Sequence, residues 1–415
     1  MIKKSEFSKM SDRKKIMILG AGIYQVPLIK TAGKMGLFTV VVSIPGEYPG
    51  FRWADKIYHI DTRDKRAILE IAKQEKISGI CTAGTDVAVA SIGYVCEKMG
   101  LAGLSEMAAS CVTDKARMKE AFVRGQVSTA KYRKAFTAIE AEEAAQEIGF
   151  PVVVKRVDSS GSRGITIVEK AAGIREAFAR AMECSCRDYV LVEELLTGKE
   201  IGVDGMIQDG RVVFAAPHEK LLFRGERITV PAGHGFPLNA SKAQIEEITR
   251  QMQLAAKAAG MDQCPFNADV MVNGNRVSVI EMGGRTGATC IPELISMYYG
   301  FDFYEMILRN AMGLSVDFTE SEEKIPCMAR LLMSPVDGTI TRIDEAGLQE
   351  IRDKGTEVVL DFPTGHPVEK MENGTTRIGH VIARAESEQE LEEVVNRVNR
   401  CISINDRSLE ELWRK

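Results

Sequence analysis

The feature that most constrains the fold is a series of short, continuous apolar segments that alternate with amphipathic stretches between residues 15 and 101. The apolar segments are rich in β-branched residues and read IMILGAG, FTVVVSI and ISGICTAG. Helical patterns are expected at 29–35, 64–75 and 86–99. Strands of a parallel sheet are buried on both faces, so they read as uninterrupted apolar runs separated by helices. This part of the chain is therefore predicted to form a doubly wound, parallel α/β sheet.

A different pattern begins at Thr113 and Asp114, whose side chains are suited to capping a helix. Strands are then expected at PVVVKRV, GITIVEK and DYVLVEELL, with helices at 171–182 and 242–259. Hairpins interleaved with single helices indicate an α+β organisation. After about residue 325 the sequence is rich in short strands and turns, with a helix expected at 387–400. The predicted plan is a tail at 1–14, a first domain at 15–112, a second at 113–322 and a small third domain at 323–415.

Length and charge exclude several classes of protein. A chain of 415 residues exceeds one ordinary core and suggests two or three domains. The net charge of -4 argues against a nucleic-acid partner, which usually requires a basic surplus. No stretch reaches the ~18 apolar residues of a membrane span, and the N-terminus lacks the apolar run of a signal peptide. We therefore expect a cytoplasmic protein with no membrane partner, whose nine scattered cysteines are reduced.

Gly20 and Gly22 follow the first predicted strand and invite a dinucleotide-binding interpretation. The third glycine of that motif is replaced by Gln25, and the second strand ends in Ser43 rather than in an acid that would bind a ribose. A tight turn between strand and helix is the preferred interpretation. An NAD-dependent oxidoreductase is the outside alternative.

A different segment offers a phosphate site. No GxxxxGK[ST] motif occurs, but residues 158–164 form a glycine- and serine-rich connection between two predicted strands. Such a connection can direct amides and hydroxyls into one concavity, and Lys155 just before it can neutralise phosphate charge. The candidate contacts are Ser160, Gly161, Ser162 and Gly164. The alternative is a flexible hairpin beside an edge-strand lysine that discourages aggregation.

The order of these motifs resembles the ATP-grasp superfamily over roughly residues 15–405. The resemblance implies a Rossmann-like N-terminal domain, an ATP-grasp domain with a glycine-loop lid at about 125–190, and a small C-terminal lobe. Lys115 is similar to the first phosphate-binding lysine of that family, and Lys155 to the second.

The same resemblance assigns the interdomain hinge that binds adenine to Glu193, Glu194, Leu195 and Leu196, and the ribose-binding position to Glu200. The chemistry is reasonable, because an extended backbone at 194–196 can pair with the adenine edge while Glu200 accepts from ribose hydroxyls. The alternative is a plain edge strand with solvated glutamates.

Asp269 and Glu281 are the candidate magnesium ligands, since carboxylate oxygens suit an ion shared with ATP phosphates. They flank a predicted hairpin, so the register decides whether they meet. A three-residue loop at 274–276 would place them opposite each other, with Cβ atoms about 5 Å apart. A two-residue turn at Asn273 and Gly274 would place them on opposite faces. We predict the longer loop or an equivalent bulge.

The segment EMGGR resembles the E-x-N-x-R signature of the family, but Gly283 stands where the metal-binding asparagine is expected. This departure leaves open whether one or two metal ions bind. Arg285 is the candidate catalytic residue together with Lys155, because its planar guanidinium can stabilise an acyl phosphate. A structural ion pair is the alternative role. Lys220, Arg224 and His234 resemble substrate-facing positions, although each can also be an ordinary surface residue.

The predicted function is an ATP- and Mg²⁺-dependent ligase, with Mn²⁺ as an alternative ion, that activates a carboxylate as an acyl phosphate for attack by an amine. Its partners are then a small-molecule carboxylate and an amine, of the amino-acid or small-metabolite class. The first alternative is an enzyme similar to carbamoyl-phosphate synthetase, biotin carboxylase or the purine-pathway branch. The second is a regulatory module that binds ATP without catalysis. A homodimer stays open.

Overall fold

The computed structural model describes residues 13–157, 165–183, 187–224, 229–371 and 376–414, with the backbone alone for Arg224, Thr229 and Val230. These residues pack into two compact units. Unit 1 contains Met1–Pro217, Ala240–Ala288 and Asp302–Phe318, and unit 2 contains His218–Asn239, Thr289–Phe301 and Thr319–Lys415. The domain borders expected from the sequence stay predictions.

The N-terminal part of unit 1 forms a four-stranded sheet in the order β3–β2–β1–β4, in which every pair is parallel. Its strands are β1 (Lys15–Leu19), β2 (Phe38–Ser43), β3 (Lys56–His59) and β4 (Gly79–Cys81). The helices between and after them are α1 (Val26–Lys34), α2 (Lys65–Glu75) and α3 (Val89–Met99). Buried aliphatic side chains of strands and helices form one core, which includes Met17, Val40, Ile68, Ile80 and Val95. The predicted parallel α/β sheet is confirmed.

A second, antiparallel sheet of unit 1 has the order β5–β8–β6–β7. Its strands are β5 (Tyr132–Ala135), β6 (Val152–Lys155), β7 (Ile165–Val168) and β8 (Val190–Glu194). Helices α4 (Glu106–Val112) and α5 (Lys115–Arg124) precede this sheet in the chain, and helices α6 (Ala138–Ile148) and α7 (Ile174–Glu183) pack on it. Helix α7 starts later than the predicted 171, because Ala171–Gly173 form a separate 3-10 turn and glycine is a poor residue for a helix interior.

Three further strands of unit 1 carry most of the candidate site. They are β9 (Lys199–Gln208), β12 (Cys264–Asn273) and β13 (Arg276–Gly283), and β12 pairs antiparallel with both neighbours. Helix α8 (Lys242–Ala259) matches the predicted range. Its ends are well specified, because Ser241 and Gln244 form a capping box and Gly260 takes the left-handed conformation that ends a helix.

Unit 2 contains antiparallel strands of two sheets. Strand β10 (Arg211–Arg224) begins in unit 1 and ends in unit 2, where it is followed by β11 (Thr229–Phe236), β14 (Cys327–Leu332), β18 (Gly379–Arg384) and β16 (Glu357–Leu360) in spatial order. The other sheet contains β15 (Gly338–Ile343), β17 (Pro367–Val368), β19 (Ile402–Ile404) and β20 (Arg407–Ser408). The remaining helices are α9 (Ile291–Tyr299), α10 (Phe303–Ala311, in unit 1), α11 (Glu345–Arg352), α12 (Glu388–Arg400) and α13 (Leu409–Trp413).

Within the part of the chain that the structure describes, no helix is both long enough and apolar enough to cross a membrane. The described cysteines carry free thiols, and most of them are buried. Cys184 and Cys186 lie outside the described residues.

Candidate active site

The hairpin of β12 and β13 brings the two predicted metal ligands together. Asn273 pairs with Arg276, so the connection has two residues and the predicted three-residue loop does not form. A register shift between Asp269 and Val270 then places Glu281 opposite Asp269. An extra residue in one strand is a β-bulge, and here it restores the pairing that the short turn would have removed. The predicted pairing through an equivalent bulge is confirmed.

Polar side chains occupy one face of these three strands. Asn267 lies opposite Asp204 of β9 and Gly283 of β13, and in the next row Asp269 lies opposite Gly202 and Glu281. Glu200 lies opposite Met271, one row further along. Residues in register project to the same face of a sheet. The predicted ribose and metal positions therefore share one surface, which we call the acidic face (Glu200, Asp204, Asn267, Asp269 and Glu281).

Lys115 lies at the start of α5 and reaches this face. The Asp114 side chain caps the helix by accepting from the amides of Ala116 and Arg117, at 3.0 and 3.1 Å. Lys115 forms an ion pair with the Glu281 carboxylate. Burial disfavours the ammonium, but attraction to Glu281 outweighs it and the pKa of Lys115 is raised. Lys115, the first predicted phosphate-binding lysine, is thus paired with Glu281, a predicted metal ligand.

Lys155 belongs to a buried charge cluster. Its ammonium lies 2.9 Å from Glu193 Oε1, and the second carboxylate oxygen of Glu193 lies 3.2 Å from the ammonium of Lys119. All three side chains are at most 5% exposed. Burial would raise the pKa of Glu193, but attraction to Lys155 and Lys119 lowers it. Lys155 is therefore not an edge-strand lysine, because β6 is an inner strand. Strand β8 is also an inner strand and Glu193 is buried, so the alternative of an edge strand with solvated glutamates is wrong for Glu193.

Part of the backbone that was expected to bind adenine already forms hydrogen bonds within the protein. The Glu194 amide donates to the carbonyl of Lys131 at 2.9 Å, and the Leu195 amide donates to the carbonyl of Pro151 at 3.4 Å. The Glu194 carboxylate accepts from the Lys131 amide at 3.2 Å. Two amides that were expected to pair with adenine are thus engaged, which shifts the prediction to the Leu196 amide and the Glu194 carbonyl.

Arg285 lies two residues after the end of β13, and its guanidinium is held on two sides. Its Nη2 donates to Asp86 Oδ2 at 2.8 Å, and its Nη1 donates to Asn267 Oδ1 at 3.0 Å. Burial disfavours the guanidinium cation, but Asp86 outweighs this and raises the pKa of Arg285. The ion pair proposed as an alternative role does exist. Arg285 also stands beside the acidic face, so the pair does not remove it from the candidate site.

Asp204 holds Asn267 and the residues that follow Arg285 in position. Its carboxylate is fully buried and accepts from Asn267 Nδ2 at 2.7 Å, Thr286 Oγ1 at 3.1 Å and the Gly287 amide at 2.6 Å. The Asn267 amide therefore has its nitrogen fixed by Asp204 and its oxygen directed at Arg285. Asp204 orients the guanidinium through Asn267.

Little space is available for a side chain at position 283. A Cβ added there would lie 3.1 Å from Asp86 Oδ1, which is closer than nearly all real contacts of such atoms. The Asp86 carboxylate thus occupies the space beside Gly283. A side chain at this position would require the Asp86 carboxylate, which holds Arg285, to shift by a few tenths of an ångström.

The remaining predicted residues are placed less fully. Ser160, Gly161, Ser162 and Gly164 lie outside the described residues. In unit 2, Lys220 of β10 pairs with His234 of β11, and Arg224 ends β10. His234 is buried and its ring packs edge-on against His218 at 4.8 Å. Burial lowers the pKa of His234 well below its ordinary value, so the imidazole is neutral and cannot supply the charge to orient a carboxylate.

Sequence reasoning missed Asp86, Lys119, Asp204 and Asn267. Lys119 and Asp204 are buried charged residues within otherwise apolar patterns, which is the signal that could have drawn attention to them. Glu193, which pairs with Lys119, and Asn267, which donates to Asp204, both lie more than 60 positions away along the chain, so no local motif links them.

Two family models match parts of the chain, and curated proteins match most of its length. Residues 148–293 match the model of the ATP-grasp domain, and residues 330–406 match that of the L-amino acid ligase C-terminal domain 2. Formate-dependent phosphoribosylglycinamide formyltransferase from Synechococcus sp. (strain WH7803) is 25% identical, over 83% of this chain and 88% of that protein.

Solved structures have a similar fold over nearly the whole chain. Phosphoribosylglycinamide synthetase from Anaerococcus prevotii has a TM-score of 0.80 and 29% identity, covering 95% of this chain and 99% of its own. L-amino acid ligase from Bacillus licheniformis has a TM-score of 0.78 and 17% identity, covering 94% and 98%. The chain belongs to the ATP-grasp superfamily, in its branch of carboxylate–amine ligases.

Proposed function

We propose that this ligase uses ATP to convert a carboxylate into an acyl phosphate and then joins it to an amine, with amino acids as the substrate class. The observation that carries the proposal is the acidic face. It aligns Asp269 with Glu281, and Lys115 and Arg285 stand beside it. Phosphoryl transfer requires positioned cations and acids more than a covalent nucleophile, which is the chemistry that this face offers.

ATP would bind with its phosphates at Lys115 and Lys155 and its ribose at Glu200. Lys155 ends β6, directly before the glycine-rich residues 158–164, whose Ser160, Gly161, Ser162 and Gly164 we propose as further phosphate contacts. The adenine edge would pair with the Leu196 amide and the Glu194 carbonyl. This arrangement uses the hinge groups that the internal hydrogen bonds of Glu194 and Leu195 do not require.

The residues on the acidic face fit a magnesium ion. Directly opposed residues have Cβ atoms about 5 Å apart, close enough for Asp269 and Glu281 to share one ion. The Lys115 ammonium pairs with Glu281, so this carboxylate already lies beside a positive charge. Among the described residues no group of three or more acidic, His or Cys side chains could hold a metal alone. Phosphate oxygens would complete the ligand set, as is usual for Mg²⁺, and Mn²⁺ is the alternative ion.

The metal ion would supply neutralisation of phosphate charge. The protein's own residues would position the substrates and stabilise the charge that develops during the reaction. One oxygen of the substrate carboxylate attacks the γ-phosphorus, ADP leaves, and the carboxylate oxygen becomes part of an acyl phosphate. The amine then attacks the acyl carbon and expels inorganic phosphate, with loss of a proton from nitrogen. Arg285 would stabilise the negative charge on the acyl phosphate, and Asp86 beside it could bind a substrate ammonium.

Amino acids are favoured as substrates because residues 330–406 match the C-terminal domain of L-amino acid ligases. Lys220, Arg224 and His234 remain proposed substrate residues, with His234 acting as a neutral ring. A purine-pathway activity is the second candidate, favoured by the 29% identity to phosphoribosylglycinamide synthetase over nearly the full chain. A homodimer is compatible with either activity.

The test is release of inorganic phosphate from ATP and Mg²⁺ over a panel of paired amino acids, with bicarbonate and with phosphoribosyl amines as separate arms. We expect phosphate release only with certain amino-acid pairs and its loss in Lys155→Met. In Glu281→Gln we expect phosphate release to be lost at the Mg²⁺ concentration that just saturates the wild type. Lys134→Met is the matched control, since Lys134 pairs with Glu120 outside the site and its removal should leave turnover unchanged. Phosphate release that requires bicarbonate or a phosphoribosyl amine would reject the amino-acid assignment.

A further inference from the structure

Lys119 is a buried lysine with no assigned role. It lies one helical turn after Lys115 on α5, so the two side chains project from the same side of the helix. The Lys119 ammonium is 3.2 Å from Glu193 Oε2 and donates to Thr129 Oγ1 at 2.7 Å. The Thr129 hydroxyl in turn donates to the carbonyl of Val279 at 2.6 Å. The ammonium is therefore fixed by two neighbours, Glu193 and Thr129, and Thr129 is in turn held by Val279.

Among the residues that the structure describes, the charges of Lys119, Lys155 and Glu193 do not balance. Glu193 is the one carboxylate that Lys119 and Lys155 share, each lysine taking a different oxygen. Burying an ion is costly unless an opposite charge compensates it. Two ammonium groups on one carboxylate leave a net positive charge within a buried region. Such a region favours an anion, and the phosphates of a nucleotide would supply one.

We propose that Lys119 is a positioning residue of the nucleotide site: by holding one oxygen of Glu193, it keeps Lys155 only partly neutralised and available to the ATP phosphates. The proposal rests on the proposed function, in which Lys155 binds phosphate. Without Lys119, Glu193 and Lys155 form a neutral pair, and phosphate must compete with the carboxylate for Lys155. Lys119 then acts through Glu193 and does not touch the nucleotide.

The protonation state of Lys119 agrees with this role. Burial lowers the pKa of Lys119 to about 8, against the attraction of Glu193, and the charge of Lys155 lowers it further. The ammonium form therefore still predominates near neutral pH. A neutral Lys119 would leave the cluster without its surplus charge.

A double-mutant cycle tests the proposal by calorimetric titration with a non-hydrolysable ATP analogue and Mg²⁺. Lys119→Met should raise the dissociation constant at least about tenfold, which corresponds to about 1.4 kcal/mol. In the Glu193→Gln background the same change should have less than about a twofold effect, because Lys155 no longer has a carboxylate competitor. Lys119→Gln repeats the test with a donor retained for Glu193, in case the methionine variant does not fold. Lys134→Met controls for the loss of one positive charge.

The outcomes separate the two proposals. If Lys155→Met binds the analogue as tightly as wild type, the phosphate site itself is misassigned. If Lys155→Met binds weakly but Lys119→Met and Lys119→Gln bind normally, the inference about Lys119 alone is wrong. An equal loss on removing Lys119 in both backgrounds would also overturn it, because Lys119 would then act directly on the nucleotide rather than through Glu193.

Discussion

Replacement of Asp204 by asparagine should damage both stability and turnover. The buried carboxylate accepts three hydrogen bonds, from Asn267, Thr286 and Gly287. The asparagine amide has one oxygen, so its NH₂ group must face at least one of these donors. A hydrogen bond to a charged group contributes about 1.5–3 kcal/mol, and an unsatisfied buried donor costs about 1–3 kcal/mol. We expect the free energy of unfolding to fall by about 2–4 kcal/mol.

The catalytic effect follows from the position of Asn267. Once Asp204 no longer fixes its nitrogen, the Asn267 amide can rotate, and Arg285 Nη1 loses one of its two acceptors, the Asn267 oxygen at 3.0 Å, and keeps the Thr286 carbonyl at 3.2 Å. Weakening one such bond by about 1.4 kcal/mol in the transition state lowers kcat about tenfold. The affinity for ATP should change less than about twofold, because Asp204 touches neither Lys115 nor Lys155 in the described contacts.

Urea unfolding and phosphate-release kinetics measure the two effects. Asp209→Asn is the matched control, since Asp209 is an exposed acid just after β9 that accepts from Gln263 at 2.9 Å. A surface change of this kind should alter stability by no more than about 0.5 kcal/mol. If Asp204→Asn is as stable and as active as Asp209→Asn, the argument that Asp204 orients Arg285 is refuted.

Three further predictions address the rest of the site. Glu281→Gln and Asp269→Asn should each raise at least about tenfold the Mg²⁺ concentration that gives half-maximal phosphate release, and unchanged magnesium curves would remove the proposed metal site. Nucleotide affinity should fall as the pH rises through the Lys119 pKa of about 8, because the ammonium then loses its proton. Titrations of Lys119→Met between about pH 7 and about pH 9 should show no such fall in affinity. Gly283→Asn should lower kcat severalfold by shifting the Asp86 carboxylate that holds Arg285, since an added Cβ meets Asp86 Oδ1 at 3.1 Å, and a wild-type rate would contradict this steric argument.

Elements with a strong local pattern could be predicted from the sequence. The parallel strands are continuous β-branched runs, and α8 has a capping box at one end and a glycine at the other. Strand β3 was missed because it has four residues, three of them exposed, at the edge of its sheet. Such a strand has no buried face to give it an apolar pattern.

The candidate site was partly predictable for the same reason. Asp269 and Glu281 lie on one hairpin, where period-two alternation limits the choices to two registers and a bulge selects between them. The contacts of Asp86 with Arg285 and of Lys119 with Glu193 join distant segments, separated by 199 positions in the first case. Pairs of this kind are set by tertiary packing, and no local periodicity encodes them.

Transfer of a labelled oxygen tests the central claim most directly. The amino-acid substrate is prepared with ¹⁸O in its carboxylate, and the phosphate released during ligation with ATP is analysed by mass. If the carboxylate attacks the γ-phosphorus, one labelled oxygen must appear in each phosphate released, and the amide product must retain the other. Unlabelled phosphate formed together with the amide would contradict the acyl-phosphate mechanism.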